Sequence, residues 1–262
     1  MHLVVDIGNT NLRWATWAPG QAATGSADED AEGRPGTLGE IQGIRHHGAL
    51  PMDLLAAWEA LPVPERVLVG NVGGTGLGVR LAQASRSLWG VEPCFAATQA
   101  EGFGVHVAYP EPERLGVDRW LSLIAAHRRG LGPALIIDAG TAITYDILLA
   151  DGRHLGGLIL PGVRLLREAL QAGTQIPPWA DPPNPYPATQ AWAADTARAI
   201  TGASVHAPAA LAERLRQRLR ERCGTEPNLI LTGGDAERIA PLLDLPVRLL
   251  PALVLEGLTL LA

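Results

Sequence analysis

The 262-residue chain contains no lysine: all 21 residues counted as lysine or arginine are arginines. A phosphate-binding loop of the Walker A type places a lysine against the β- and γ-phosphates, so this motif is excluded. A catalytic Schiff base on a lysine is excluded as well. Any phosphate chemistry in this chain must therefore proceed without a lysine.

Cysteine is scarce too, since Cys94 and Cys223 are the only two. They form neither a metal-ligand spacing nor a disulfide framework, which is typical of a protein of the reducing cytoplasm. No apolar run approaches the roughly 18 residues that cross a bilayer. The N-terminal apolar run stops at Asp6 and has no basic region before it. We therefore expect neither a membrane partner nor a signal peptide.

Positive charge is also in deficit. The formal net charge is −6 and the isoelectric point is about 5.6. A surface of this sign does not attract polyanions in general, so we expect no nucleic-acid partner.

Short apolar runs alternate along the chain with segments of helical periodicity. The runs at 2–5, 66–73 and 134–148 are typical of buried strands, and the segments at 52–61, 78–90 and 118–130 are typical of helices. This alternation favours an α/β architecture. Residues 25–37 are predicted to form a surface hairpin loop or a poorly ordered excursion. The proline-rich residues 176–187 are predicted to form a rigid connector. The segment after the connector is predicted to form two helices, broken near Gly202 to Pro208.

Two of the strands end in similar acidic turns about half the chain apart. VVDIGNT begins at residue 4 and IIDAGTA begins at residue 136, so that Asp6 and Asp138 occupy equivalent places. The repetition predicts two similar halves, each beginning with a strand and an acidic turn.

These turns suit a magnesium–phosphate site. Magnesium takes one or two carboxylates and fills its other positions with water and phosphate oxygens. Gly8 and Gly140 let backbone N–H groups approach a phosphate closely, and the neighbouring Asn and Thr side chains are further donors. One such turn alone is more simply explained as a cap of the next element, but two equivalent copies favour the phosphate interpretation.

Together with other stretches, the turns resemble the type III pantothenate kinases, which belong to the superfamily of acetate kinases, sugar kinases, heat-shock chaperone ATPases and actin. The matching stretches follow the family's order over nearly the whole chain: DIGNTN at 6–11, Tyr109, GVDR at 116–119, DAGTAITYD at 138–146, GGLILPG at 156–162, DT at 195–196, TGGDA at 232–236 and ALVLEGL at 252–258. Each stretch alone is weak, and their combination is specific.

The resemblance implies an α/β fold of two RNase H-like (actin-like ATPase) halves, 1–115 and 116–262. Mixed sheets flanked by helices would form each half, with the active cleft between them. It also implies ATP-dependent phosphorylation of pantothenate to 4'-phosphopantothenate, the first step of coenzyme A synthesis. The implied cofactors are ATP, Mg²⁺ and a monovalent cation, K⁺ or NH₄⁺, and the implied assembly is a cytoplasmic homodimer whose partner supplies part of the pantothenate pocket.

The family's roles carry over by position. Asp118 matches the catalytic base, Asp6 the carboxylate on the Mg²⁺ side, and Asp138 the residue that helps to bind the monovalent cation. The positions that match ATP or phosphate contacts are Asp6, Gly8, Asn9, Thr10, Arg13, Gly140, Thr141, Thr144, Gly233 and Gly234. The positions that match pantothenate contacts are Tyr109, Gly116, Val117, Arg119 and Thr196.

The chain departs from the family pattern at several places. GNVGGTG at 70–76 replaces a serine-rich turn, GTQIPPW replaces the usual stretch before the proline-rich segment, and Asp195 stands where Asn is common. The acids are intact, but the shape of the pantothenate pocket is open to change.

Three alternatives compete with this hypothesis. A non-catalytic accessory or regulatory protein would keep the fold but would not need Asp6, Asp118 and Asp138 together. Another enzyme of the superfamily, a sugar kinase or a phosphatase, is disfavoured by the short length and by GVDR. A dinucleotide-dependent dehydrogenase is excluded because no clean G-x-G-x-x-G is present. His46 and His47 are predicted to be a surface pair without a metal.

Overall fold

The structure is a computed structural model that describes residues 1–20, 36–177, 192–244 and 246–262. Residues 25–35 of the predicted loop and residues 178–187 of the predicted connector lie outside this part. The described strands are β1 His2–Ile7, β2 Asn11–Ala18, β3 Thr37–Leu38, β4 Gln42–Arg45, β5 Arg66–Asn71, β6 Cys94–Phe95, β7 Glu101–Gly102, β8 Val105–His106, β9 Ala134–Ala139, β10 Ala142–Leu148, β11 His154–Pro161, β12 Asn228–Thr232 and β13 Val247–Leu249.

Helices lie at the three predicted segments 52–61, 78–90 and 118–130, and further helices lie after residue 162. The described helices are α1 Met52–Glu59, α2 Thr75–Trp89, α3 Val117–Arg128, α4 Val163–Gly173, α5 Thr196–Cys223, α6 Ala236–Ile239 and α7 Leu253–Thr259, with 3₁₀ helices at Pro112–Arg114 and Ala240–Leu242. None of these described helices is both long and apolar enough to cross a membrane.

The chain divides into two units. The first comprises residues 1–99, 113–125 and 252–262, and the second comprises residues 100–112 and 126–251. This interleaved division differs from the single boundary after residue 115 that the resemblance implies. The reason lies in packing within the first unit: a Cβ atom at Gly70 of β5 would lie 3.0 Å from Leu121 of α3 and 3.9 Å from Leu258 of α7. The start of α3 and the C-terminal helix therefore pack on the sheet of the first unit.

The sheet of the first unit has the order β3-β2-β1-β5-β6, with β4 also paired to β2. Strand β1 runs antiparallel to β2 and parallel to β5, so the sheet is mixed. All six residues of β1 are buried, as its continuous apolar run predicts for a central strand. Alternate residues of β1, Leu3, Val5 and Ile7, pack in one core with Leu54 and Trp58 of α1.

The sheet of the second unit has the order β11-β10-β9-β12-β13, and β7 and β8 form a separate hairpin. Strand β9 is antiparallel to β10 and parallel to β12, so this sheet is mixed as well. Its core lies on one face, where Ile137, Tyr145 and Leu231 pack against Val205 and Ala209 of α5. Each unit is thus a mixed sheet flanked by helices, as the family resemblance implies.

The predicted break near Gly202 to Pro208 does not occur, because α5 is one helix of 28 residues with Pro208 inside it. A proline in a helix interior costs about 3 kcal/mol because it removes a hydrogen bond and crowds the preceding turn. Here Pro208 is buried, and the Tyr145 hydroxyl donates a 2.9 Å hydrogen bond to its carbonyl oxygen. Packing of α5 on the sheet therefore outweighs a local signal that is visible in the sequence.

Candidate active site

Asp6 lies near the end of β1, directly across from Arg13 of β2. The Arg13 guanidinium donates a 2.9 Å hydrogen bond to Asp6 Oδ2, and Asp6 is 6% exposed. Burial raises the pKa of the Asp6 carboxyl above its usual range, and Arg13 only partly opposes this shift. A cationic ligand at this carboxylate would favour its ionised form.

The polar residues after β1 form a tight turn. The Gly8 N–H donates to the Asn11 carbonyl oxygen over 2.9 Å. A Cβ atom at position 8 would lie 3.1 Å from that oxygen, so glycine suits the close approach. Asn9 is exposed at the tip, and Thr10 is half-buried. The turn thus presents donor groups to solvent beside a buried carboxylate.

A second turn, at residues 71–74, packs against the first. The N–H groups of Val72 and Gly73 both donate to the Ile7 carbonyl oxygen, over 2.9 and 3.0 Å. Asn71 holds this turn together: its Oδ1 accepts from the Gly73 N–H, and its Nδ2 donates to the Gly74 carbonyl oxygen. Asn71 therefore orders this loop, in the stretch where the family resemblance leads us to expect a serine-rich turn.

Asp118 lies in the first turn of α3 and is half-buried. Its Oδ1 accepts a 2.8 Å hydrogen bond from the backbone N–H of Arg119, which sets the direction of the carboxylate. A Cβ atom at Gly116 would lie 2.6 Å from the same oxygen and 3.9 Å from Val72. Glycine at 116 therefore makes room for the carboxylate, and the Asp118 turn lies beside the 71–74 turn. Val117 and Arg119 are buried at the helix start.

His46 is a residue whose place the sequence prediction missed. It is buried, at 5% exposure, rather than on the surface, whereas His47 is exposed. Its ring Nε2 lies 2.8 Å from the Gly8 carbonyl oxygen. The burial arises because β4 pairs with β2 and delivers the residue after Arg45 to the turn at 8–11. Periodicity over four residues is too short to show this.

In the second unit, Asp138 lies between two threonines. It pairs with Thr144 across the antiparallel β9–β10 ladder and with Thr232 across the parallel β9–β12 ladder. Laterally paired residues project from the same face of a sheet. Thr232 is 1% exposed, and its hydroxyl has no hydrogen-bond partner among the described atoms. Thr232 was not recognised from the sequence as a site residue.

Two glycine turns adjoin Asp138. Gly233 has φ 90°, and a Cβ atom there would lie 2.5 Å from Asp138 Oδ1 and 2.6 Å from the Ala139 carbonyl carbon. Only glycine fits this position without displacing the carboxylate or the backbone. The Gly140 N–H donates to the Ala142 carbonyl oxygen over 3.0 Å, and the Gly162 N–H donates to that of Thr141 over 2.9 Å. Asp138, Gly140, Thr141 and Gly233 are thus brought together, and Gly234 follows directly.

The donor set around Asp138 fits a monovalent cation. One carboxylate and two flanking hydroxyls are hard oxygen ligands, and the buried Thr232 hydroxyl still needs a partner. No group of three or more His, Cys, Asp or Glu side chains within the described ranges could hold a metal ion. That part of the chain therefore contains no such cluster to bind a transition metal tightly.

Tyr109 stacks on a buried histidine. Its ring lies 6.2 Å from that of His154, with an angle of 17° between the planes. His154 Nε2 lies 3.0 Å from Asp146 Oδ1, and the two side chains are 0% and 3% exposed. The predicted pantothenate contact thus rests on a buried polar pair. Asp146 belongs to the DAGTAITYD stretch, but nothing in the sequence pairs it with His154.

Thr196 begins α5 and is exposed. Asp195 caps the helix, because its Oδ1 accepts the Arg198 N–H over 2.8 Å. Both residues line an open cavity of about 550 Å³, whose other walls come mostly from Leu170, Ile200 and nearby alanines. Asp195 therefore caps α5 in this chain, where the family resemblance leads us to expect asparagine.

A sequence profile of the type III pantothenate kinases matches residues 2–218. A type III pantothenate kinase from Nitrosococcus oceani is 35% identical, over 98% of this chain and 92% of that protein. Another, from Alkalilimnicola ehrlichii, is 36% identical, over 99% and 97%. The chain belongs to the type III pantothenate kinase family.

Solved structures support the same fold. A protein described as a Baf family transcriptional activator from Campylobacter jejuni matches with a TM-score of 0.56 at 18% identity, over 98% of this chain and 95% of that chain. A protein described as a 2-dehydro-3-deoxygalactonokinase from Sinorhizobium meliloti matches with a TM-score of 0.50 at 15% identity, over 99% and 97%. At these identities the likeness shows the fold alone, and it confirms the predicted fold class for this type III pantothenate kinase.

Proposed function

We propose that this chain transfers the γ-phosphoryl group of ATP to the terminal hydroxyl of pantothenate, the first step of coenzyme A synthesis. The observation that carries the proposal is the match to the type III pantothenate kinases over 98% of the chain, with the acids at 6, 118 and 138 all present. As a kinase of this family the protein uses ATP with a divalent metal ion.

Asp118 is proposed as the general base. Its carboxylate accepts the proton of the pantothenate hydroxyl as the hydroxyl oxygen bonds to the γ-phosphorus and the bond from that phosphorus to the ADP oxygen breaks. The 2.8 Å hydrogen bond from the Arg119 N–H and the space left by Gly116 support this role, because they hold the carboxylate in one orientation. Positioning and charge stabilisation are the main contributions a protein makes to phosphoryl transfer.

The turn at 8–11 is proposed to bind ATP phosphates through Gly8, Asn9 and Thr10, with Arg13 as the cationic group. Asp6 is the proposed ligand on the Mg²⁺ side. Its burial supports this role, since a buried carboxylate that is not fully neutralised by one arginine can accept a further cation. When bound, Mg²⁺ would offset the negative charge of the phosphates.

In the second unit, Asp138 is proposed to hold K⁺ or NH₄⁺ together with its strand neighbours Thr144 and Thr232. Gly140 and Thr141 are proposed phosphate contacts, and Gly233 and Gly234 are proposed to flank the nucleotide. The unpaired Thr232 hydroxyl beside Asp138 supports the cation site. Glycine at 233 supports the nucleotide role less directly, because the close approach to Asp138 already explains why this position needs glycine.

Pantothenate is proposed to contact Tyr109, Gly116, Val117, Arg119 and Thr196, in a cytoplasmic homodimer whose second copy completes the pocket. The stacked Tyr109 ring and the open cavity at Thr196 support contacts at these two positions.

A regulatory protein without activity is the competing hypothesis, and the Campylobacter jejuni protein is described as a transcriptional activator. That likeness is at 18% identity and extends only to the fold. A protein that only binds nucleotide has no need of a base, so the retention of Asp118 in an ordered turn favours the enzyme.

The test is to incubate the purified protein with ATP, Mg²⁺ and pantothenate, in K⁺ and separately in Na⁺, and to identify the product by mass. We expect 4'-phosphopantothenate, formed faster in K⁺. Equal rates in the two salts would remove the cation role of Asp138. No product from folded protein would overturn the proposed reaction and favour the regulatory hypothesis.

A further inference from the structure

The histidine pair at 46 and 47 has no part in the function proposed so far. The two side chains differ sharply: His46 is 5% exposed, whereas His47 is exposed. The ring nitrogens of a buried histidine normally have hydrogen-bond partners, and we therefore expect such partners for His46.

Two hydrogen bonds join His46 to the turn at 8–11. The ring Nε2 lies 2.8 Å from the Gly8 carbonyl oxygen, and the backbone N–H of His46 donates to the Thr10 carbonyl oxygen over 2.9 Å. A carbonyl oxygen can only accept, so Nε2 must carry the proton. In the neutral ring Nδ1 is then an acceptor, and it faces the Gly48 N–H at 3.4 Å. The surroundings therefore match the neutral Nε2–H tautomer.

The hydrogen bond from Nε2 determines the direction of a whole peptide group. The Gly8–Asn9 bond is trans, since the only cis bond in the described ranges is Gly132–Pro133. In a trans peptide the C=O and the N–H point in opposite directions. Because the Gly8 carbonyl points to His46, the Asn9 N–H points away from it. Asn9 is the exposed tip of the turn.

A second contact limits the same carbonyl from another direction. A Cβ atom at Gly73 would lie 2.6 Å from the Gly8 oxygen. Any side chain at 73 would therefore displace either that oxygen or the backbone of the 71–74 turn. The Gly8–Asn9 peptide is thus held both by a hydrogen bond from His46 and by close packing of Gly73.

We propose that His46 is a positioning residue that turns the Asn9 N–H outward, ready to donate to a nucleotide phosphate. This inference rests on the proposed function, in which the turn at 8–11 binds ATP phosphates. Without the imidazole the Gly8 carbonyl loses its donor, and the peptide can rotate so that the N–H no longer faces outward. A backbone N–H that must be reoriented binds an anion less tightly than a preset one.

The experiment measures the affinity for Mg²⁺-ATP by titration calorimetry without pantothenate, so that it does not depend on the acceptor. His46→Leu fills the buried space but cannot donate, and we expect about tenfold weaker binding, the effect of losing one hydrogen bond. His46→Gln restores an N–H donor and should recover most of the affinity. His47→Ala is the matched control and should bind as the wild type does.

Three results would overturn the inference: wild-type affinity in His46→Leu, equal weakening in His47→Ala, or no recovery in His46→Gln. If His46→Leu does not fold, His46→Ala removes the same donor with a smaller side chain, and wild-type affinity in that variant would count equally against the inference. The affinity of Asp6→Asn distinguishes failure of the proposed phosphate site from failure of the positioning role of His46. If Asp6→Asn and His46→Leu both leave the affinity unchanged, the turn is not a phosphate site and the proposed function fails there. If only His46→Leu does, the positioning role fails alone.

Discussion

The carboxylate of Asp6 and the guanidinium of Arg13 are cross-strand partners on β1 and β2, joined by a 2.9 Å hydrogen bond. This pair connects the sheet of the first unit to its proposed phosphate turn. Its carboxylate is almost fully buried, and burial raises the pKa of Asp6 even with Arg13 beside it. Such a group is retained at a cost in folding free energy, which is typical of functional sites.

Asp6→Asn should lower turnover by about two orders of magnitude, the scale seen when one charge-stabilising group is removed. The variant should not lose a corresponding amount of stability at neutral pH. A carboxyl whose folded-state pKa is raised contributes stability that is complete below its ordinary value of 3.8 and is lost as the pH rises through the folded-state pKa. The wild type should therefore gain stability relative to Asp6→Asn on acidification. Urea unfolding of both proteins across this range measures the difference.

The control for this prediction is Asp151→Asn. Asp151 forms an exposed pair with Arg153, and hydrogen bonding to the Arg153 backbone lowers the pKa of its carboxyl. Its stability contribution is present above 3.8 and is lost as the pH falls, so the slope should have the opposite sign and be small. A stability difference for Asp6→Asn that grows in favour of the wild type as the pH rises would contradict the account.

Gly233→Ala should abolish the faster rate in K⁺. The φ of 90° at this position strains any other residue by about 1–3 kcal/mol, and the new Cβ would displace the Asp138 carboxylate, 2.5 Å away. Rates in K⁺ and Na⁺, together with thermal unfolding, measure both effects. Gly173→Ala in α4 is the control, because nothing lies within 4 Å of its Cβ position, and it should be neutral or slightly stabilising. Preserved K⁺ activation in Gly233→Ala would separate this turn from the cation site.

Asp146→Ala should destabilise the protein by about 1–3 kcal/mol, because the buried Nε2 of His154 would lose its acceptor. The Michaelis constant for pantothenate should rise as well, since Tyr109 stacks on the His154 ring. Urea unfolding and steady-state kinetics test the two parts. The control is Glu101→Ala, which breaks an exposed pair in which Glu101 Oε2 lies 3.5 Å from His106 Nδ1. This variant should change the free energy of unfolding by less than about 0.5 kcal/mol. Similar losses in both variants would show that burial of the Asp146–His154 pair does not matter.

Strands and acidic turns were the most predictable part of this protein. VVDIGNT and IIDAGTA are local patterns in which an apolar run ends at a carboxylate, and the structure places both at the ends of central strands. The family and the fold class followed from these motifs in order. The roles of the individual site residues remain predictions that the proposed experiments test.

Features that depend on tertiary contacts could not be predicted. Pro208 is a local helix breaker, yet the sheet and the Tyr145 hydroxyl keep α5 continuous. From the sequence, His46 is predicted to be a polar residue of a surface segment. The pairing of β4 with β2 instead buries it against Gly8. The interleaving of the two units arises in the same way, from packing of α3 and α7 against β5.

The most direct test of the account is the turnover of Asp118→Asn with saturating ATP and pantothenate. Asparagine keeps the size of the side chain and can still accept the Arg119 N–H, but it cannot take the hydroxyl proton. We expect folded protein whose turnover is lower by about 10²–10⁴-fold, the usual contribution of a general base. Asp53→Asn, which changes an exposed acid in the first turn of α1, should retain wild-type turnover. Near-wild-type turnover in Asp118→Asn would contradict the central claim that Asp118 is the base of a pantothenate kinase.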